Sequence, residues 1–224
     1  HLLTLFIIFG VSFTFSFYVK NDYDETRYAI FEKILAYLLI FNEFLKPFYL
    51  NYFSPDDYNW TNTIPLHACH FSSYATGLFL LTRNQKFFDF AYFWGLGGAS
   101  MALLTPDVDF AFPSGVFFPF FWGHTLILLA VSYAIVALRQ RPFLRDVHRV
   151  IGMSIMLMVI IYFINLLLGE GANFWYLMDK PDTDSVMNYF PDPPFHMTVV
   201  IPIAIAFFYL LYLPFWIKDR ISKD

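Results

Sequence analysis

A single cysteine, Cys69, among 224 residues excludes an intrachain disulfide and the stapled framework of small secreted domains. Charge is scarce as well. Asp, Glu, Lys and Arg make up 14% of the chain, where a soluble domain carries about 25%. No H-E-x-x-H segment or other tight metal spacing occurs, no internal repeat is visible, and no polar stretch is long enough to hold a soluble domain. What fills the sequence is apolar: 58% hydrophobic, 22% aromatic, thirty Phe, and a mean hydropathy of +0.53. Little charge with many aromatics suits a chain whose surface meets acyl chains and whose helix ends sit among headgroups. The expected fold class is all-α, a polytopic membrane protein with one transmembrane domain over 1–224.

Apolar stretches fall at about 2–19, 28–50, 64–82, 87–104, 117–138, 150–168 and 195–217, each near the roughly 20 residues that cross a bilayer core. Lys and Arg number two after the first stretch, two after the third, four after the fifth and three in the tail, against none, none and one in the other loops. By the positive-inside rule, the basic loops and tail are cytoplasmic. The expectation is a seven-transmembrane-helix bundle with its N-terminus outside and its C-terminus in the cytoplasm. A cleaved signal peptide is a poor reading of the first stretch, because its basic flank follows the apolar run. The chain opens on His1 rather than Met, so a preceding segment is expected. The fourth stretch carries the small-residue pairs Gly95/Ala99 and Gly98/Ala102, which let another backbone approach closely, and is expected to be central and tightly packed.

Polar side chains within a bilayer are costly and face the bundle interior, so their depth carries the functional signal. They gather at one end. Asn42, Glu43 and Lys46 close the second stretch, while His67, Cys69, His70 and Ser73 open the third. Asp107 follows the fourth, His124 lies about two turns into the fifth, Asn165 ends the sixth and His196 begins the seventh. The topology brings all of them to the outer half of the membrane. Glu43 and Lys46, at i,i+3, read either as a structural ion pair or as part of a site. Glu32 and Lys33, near the other end, read as interfacial. His67 and His70 share a face, with Cys69 about 100° from His70 and about 160° from His67. Cys69 shares its stripe with Ser73 and Thr76. A cysteine there is either an inert small hydrophobe or a nucleophile activated by a base, for which His124 is the best candidate. Alternatively, His67, His70, His124 and Asp107 could hold a zinc ion for hydrolysis. His148 is expected to be solvated, and His196 to cap the seventh helix.

The segment Ile64 to Tyr74, reading IPLHACHFSSY, resembles the bacterial YwaF-type membrane proteins related to transmembrane protein 164, whose P-L-H-x-C pattern is matched by Pro65, Leu66, His67 and Cys69. The likeness continues through Tyr92 to Leu96 and Leu103 to Asp107, then Gly123 and His124, and last Asn173, Tyr176, Leu177, Lys180 and Pro181. It covers about 64–181. The resemblance implies a cysteine-centred acyltransferase acting on phospholipid or lysophospholipid, with Cys69 as the acyl-accepting nucleophile and His124 as its base. Substrate would meet His67, His70, Glu43, Lys46, Asp107, Asn165, Asn173 and Lys180. In that scheme Asn165 or Asn173 orients the histidine or donates to the oxyanion, and Lys180 holds a phosphate headgroup. The loop 169–194 serves either as a lid or as a plain interfacial cap. Neither metal nor cofactor is expected. Membrane lipids are the expected partners, without nucleic acid; a homo-oligomer is compatible, and the location is the cell membrane. The rival readings are a non-catalytic binder or transporter using Glu43, Lys46 and the histidines, and the zinc hydrolase.

Overall fold

The structure is a computed structural model that describes residues 2–53, 60–104, 117–181 and 186–222. Among these the regular elements are helical and no strand occurs. Helix α1 (Leu2–Asp22) is apolar on all sides and ends with Lys20 in its last turn, where a cation complements the helix dipole. Asp24 then caps α2 (Glu25–Phe53), its Oδ1 accepting the Arg27 N–H at 2.8 Å. A single turn, α3 (Trp60–Thr63), precedes α4 (Ala68–Thr82). Arg83 closes α4 in the left-handed conformation, and the Asn84 side chain starts α5 (Gln85–Trp94) by accepting from Lys86 N–H at 2.9 Å. α5 runs through a π-helical segment, Gly95–Ala99, into α6 (Ser100–Leu104). The last three are α7 (Phe117–Val136), α8 (Leu144–Leu168) and α9 (Met197–Ile221).

Among the described residues five stretches are long and apolar enough to cross a membrane: Leu3–Asp22, Gln85–Leu104, Phe117–Val136, Leu144–Leu168 and Met197–Ile221. The remaining two of the seven expected spans fail for visible reasons. α2 carries Glu32, Lys33, Glu43 and Lys46 along its length. α4 has fifteen residues, about 22 Å of rise, because the chain from Ile64 to Leu66 bends before the helix begins. At the other end of the molecule α8 starts earlier than hydropathy alone indicates, since its charged first turn is satisfied internally. The Asp146 carboxylate accepts from Phe143 N–H at 2.9 Å and pairs with Arg149, also at 2.9 Å.

Large apolar side chains such as Phe6, Ile7, Phe163, Leu167, Leu210 and Ile217 point outward. A continuous surface of this kind belongs in lipid. The interior is organised by α7, whose Ile127, Leu128, Ala130, Val131 and Tyr133 are buried and which packs against α1, α2, α4 and the π segment. The fourth stretch shares the centre, as expected: Phe88, Phe93, Ala99 and Leu103 are wholly buried, and the stretch packs against α4, α7, α8 and α9. Gly95 does permit a close approach, since a Cβ there would lie 2.9 Å from Val131 and 3.1 Å from Ile127, but a Cβ at Gly98 would meet nothing within 4 Å. Only the Gly95/Ala99 pair serves packing.

The tightest approach joins α2 and α4 at Gly77, where a Cβ would sit 2.8 Å from Ile40 Cγ1 and 3.0 Å from the Ala36 carbonyl oxygen. Lipid is as apolar as the helices, so their association rests on contacts of this kind rather than on escape from water. Gly77→Ala is expected to destabilise by about 1–3 kcal/mol, because one of the clashing atoms is backbone. Gly98→Ala should leave stability within about 0.5 kcal/mol of the parent. Apparent melting of the two variants in one detergent compares them directly.

Polar ties close the end of the bundle opposite the N-terminus of α4. Glu32 is buried within the protein at this end: it pairs with Arg83, accepts from Tyr133 Oη at 2.6 Å and lies 3.3 Å from Tyr23 Oη. Asp89 takes Arg149 at 2.6 Å, and Arg141 forms a bidentate pair with Asp219 at 2.6 and 2.5 Å that fastens α9. His148 is exposed, as expected.

Candidate functional site

Glu43 is the centre of the polar cluster at the N-terminal end of α4. Its side chain is 1% exposed, so its charge must be met within the protein. Oε1 accepts from Ser73 Oγ at 2.9 Å and from Asn42 Nδ2 at 3.4 Å. Oε2 lies 2.8 Å from Lys46 Nζ and 3.3 Å from His70 Nε2. Helical spacing explains the set: i,i+3 puts Lys46 on the face of Glu43, and the same spacing puts Ser73 on that of His70. Packing of α2 against α4 then makes the two faces meet.

The two histidines of the cluster have defined tautomers. His70 Nδ1 accepts the His67 N–H at 2.9 Å, so a neutral ring carries its proton on Nε2, toward Glu43. His124, 6% exposed, donates from Nδ1 to the Phe120 carbonyl at 2.7 Å, since a carbonyl only accepts. Its Nε2 is thereby a lone-pair acceptor, buried and without a hydrogen-bond partner. α7 comes against α2 at this level, where a Cβ on Gly123 would lie 3.0 Å from Asn42 Nδ2. The Lys46 ammonium is within electrostatic reach of Cys69, His70 and His124. Cys69 is half-buried in the first turn of α4, with no disulfide partner.

The chain after α8 covers this end. Trp175 Nε1 donates to the Leu66 carbonyl at 2.8 Å, and the His67 ring sits 5.1 Å from Phe174 and 5.9 Å from Tyr176. His196 is wholly buried and makes no capping bond to α9. Its Nε2 donates instead to the Tyr176 carbonyl at 2.7 Å, so it anchors the loop rather than the helix.

The other expected site residues are engaged in holding this loop. Asn165 donates to the Phe174 carbonyl and accepts from the Phe174 N–H, both at 3.0 Å. Asn173 accepts from Met178 N–H and Asp179 N–H and donates to the Asp179 carbonyl. Lys180 donates to the Phe190 carbonyl at 2.8 Å and lies 3.3 Å from Asp192. His124 is thus oriented by Phe120 and not by an asparagine. Asp107 lies outside the described residues. Among the described residues no three His, Cys, Asp or Glu come together as metal ligands.

Two residues near the cluster were not anticipated. Tyr49 Oη and Ser72 Oγ are buried without hydrogen-bond partners. Asn42, Lys46 and Tyr49 stand at i, i+4 and i+7, a spacing that marks one helix face and could have brought Tyr49 into the set.

A lipid-facing exterior around a buried polar cluster, closed by an anchored loop, defines a multi-pass helical membrane protein with an enclosed polar site. The TMEM164 family model matches residues 1–212, and the chain belongs to that family. An uncharacterized protein of Treponema pallidum (strain Nichols) is 29% identical over 126 residues, 56% of this chain. The match takes in 52% of that relative's own length. No solved structure matches.

Proposed function

We propose that the protein is a lipid acyltransferase of the cell membrane that carries the acyl group on Cys69. The observation that supports this reading is the unpartnered, buried Nε2 of His124, a base set by the Phe120 hydrogen bond and placed at the level of the Glu43 and His70 cluster. Cys69 occupies the first turn of α4, within electrostatic reach of the Lys46 ammonium.

The chemistry has two halves. The sulfur attacks an ester carbonyl of a phospholipid, forming C–S while the C–O bond to the glycerol breaks. His124 takes the thiol proton and passes it to the departing lysophospholipid alkoxide. An acceptor hydroxyl then attacks the thioester, His124 removes its proton, and the sulfur leaves and recovers that proton. The amides of Ala68 and Cys69 precede the first N–H that bonds within α4, that of His70 to the His67 carbonyl, and are the donors this scheme assigns to the oxyanion of each step. The direct test is intact mass spectrometry of protein purified from membranes, which should reveal an acyl adduct that maps to Cys69 and is released by hydroxylamine. Protein that is turning over lipid yet never carries an adduct would sink the covalent scheme.

The same reading places seven spans in the membrane, with the N-terminus outside and the C-terminus in the cytoplasm, α2 and α4 crossing beside the apolar helices. On a Cys69→Ala background, Tyr189→Cys is expected to react with an impermeant maleimide in intact cells and Arg145→Cys only after permeabilisation. Both side chains are exposed. The reverse pattern would invert the orientation.

A further inference from the structure

We propose that the end of the bundle opposite the Glu43 cluster holds a second binding site, for a phosphate group, between Lys20, Arg83 and Arg139. A cavity of about 370 Å³ opens there where the C-terminus of α1, the α1–α2 turn, the end of α4 and the turn after α7 converge. Of its eight lining residues three are basic and one, Glu25, is acidic, with Tyr23 and Gln140 as neutral polar groups. The volume accommodates a phosphate headgroup with room for part of its glycerol.

Both arginines take an uncommon backbone conformation. Arg83 at φ 57° and Arg139 at φ 55° both occupy left-handed positions just past a helix end. Glycine takes such positions without strain, and asparagine follows; a long side chain is disfavoured. At the end of α7 backbone bonds close the turn: Gln140 N–H reaches the Ala134 carbonyl at 2.9 Å and Leu138 N–H the Tyr133 carbonyl at 3.1 Å. The turn thus needs only its backbone, and the arginine side chain adds nothing to it. Two residues that strain their backbone and send both side chains to one cavity point to a requirement for charge there.

Those charges are incompletely met from within. Arg83 uses Nη2 on Glu32 and Tyr23, while its Nη1 has no hydrogen-bond partner. Neither Lys20 nor Arg139 pairs with a carboxylate among the described residues; Lys20 Nζ lies 5.7 Å from the Phe17 ring. Planar guanidinium donors beside an ammonium suit phosphate oxygens.

The shared chemistry is a phosphate monoester or diester, either on a lipid of the adjacent leaflet or free in solution. Native mass spectrometry of the detergent-solubilised protein, titrated with phosphatidylglycerol and with diacylglycerol of the same chains, tests it. Phosphatidylglycerol should be retained in preference to diacylglycerol. Arg139→Gly, which suits the left-handed backbone, should weaken retention about tenfold, and adding Lys20→Gln should weaken it further. Arg139→Asn serves as a second left-handed variant with the same expected loss, and both should melt no lower than the parent. Displacement by inorganic phosphate at constant ionic strength would support the site as one for a free anion; retention against phosphate would support it as a lipid headgroup site. Retention of phosphatidylglycerol by both Arg139 variants at the parent level, or equal retention of diacylglycerol, would overturn the proposal.

Discussion

Cys69→Ala and His124→Ala are each expected to lower acyl exchange between phospholipid and lysophospholipid by at least about a thousandfold in reconstituted vesicles. The two losses should differ in kind. Without the sulfur there is no covalent route, since Ser73, the nearest hydroxyl on the stripe, donates its proton to Glu43 and is not free to act as a nucleophile. Without His124 the sulfur remains but lacks its base, so a slow adduct should still form at high pH, where the thiol ionises unaided. Cys69→Ser separates packing from chemistry, because it keeps the volume of the side chain and removes most of its nucleophilicity. Folding should survive in both Cys69 variants, as the side chain is small and half-buried. Exchange that persists at the parental rate in Cys69→Ala protein would transfer the site to a binding role, in which Glu43 and Lys46 recognise a ligand without reaction.

Glu43→Ala should destabilise the fold by about 3 kcal/mol, the cost of breaking a buried ion pair by removing one partner. Four donors converge on this carboxylate: Ser73, Asn42, Lys46 and the Nε2 proton of His70. Its loss strands Lys46, which is 17% exposed and has little water to turn to. Replacing both charges, as in Glu43→Leu with Lys46→Leu, should recover most of the stability, because two desolvation costs disappear together with the attraction. Function should not return, since His70 and Ser73 would keep no acceptor. Apparent melting temperature read beside acyl exchange distinguishes the two effects. If the single variant melts with the parent, Glu43 is solvated in the folded protein and the buried cluster is wrong.

Much of this molecule is legible in its residues. Scarce charge and continuous apolar stretches place it in a membrane, and the i,i+3 spacing of Glu43 with Lys46 predicts the contact that forms at 2.8 Å. The shared depth of Glu43, His70 and His124 follows from where each lies along its stretch. The partners of these polar groups were not legible in hydropathy. Glu32 looked interfacial because it adjoins Lys33, but its partner Arg83 is 51 positions away and arrives only through the α2 and α4 packing. Asn165 entered the candidate set by its depth, and Asn173 and Lys180 by the family resemblance. Their hydrogen bonds went to the backbone of the loop they fold, whose buried N–H and C=O groups required partners.

The sequence by itself determined which segments are apolar helices, how deep each polar group lies and which neighbours share a face. These follow from a period of about 3.6 residues and the length of each stretch, both local properties. Tertiary structure decided the rotation of each helix about its axis, and with it that Glu43 meets His70 and Ser73, and that α7 shares the centre of the bundle with the glycine-rich fourth stretch. Rotation is set by packing against all neighbours at once, through close approaches such as Gly77 on Ala36 and the bent entry into α4, and no local pattern in one helix encodes it.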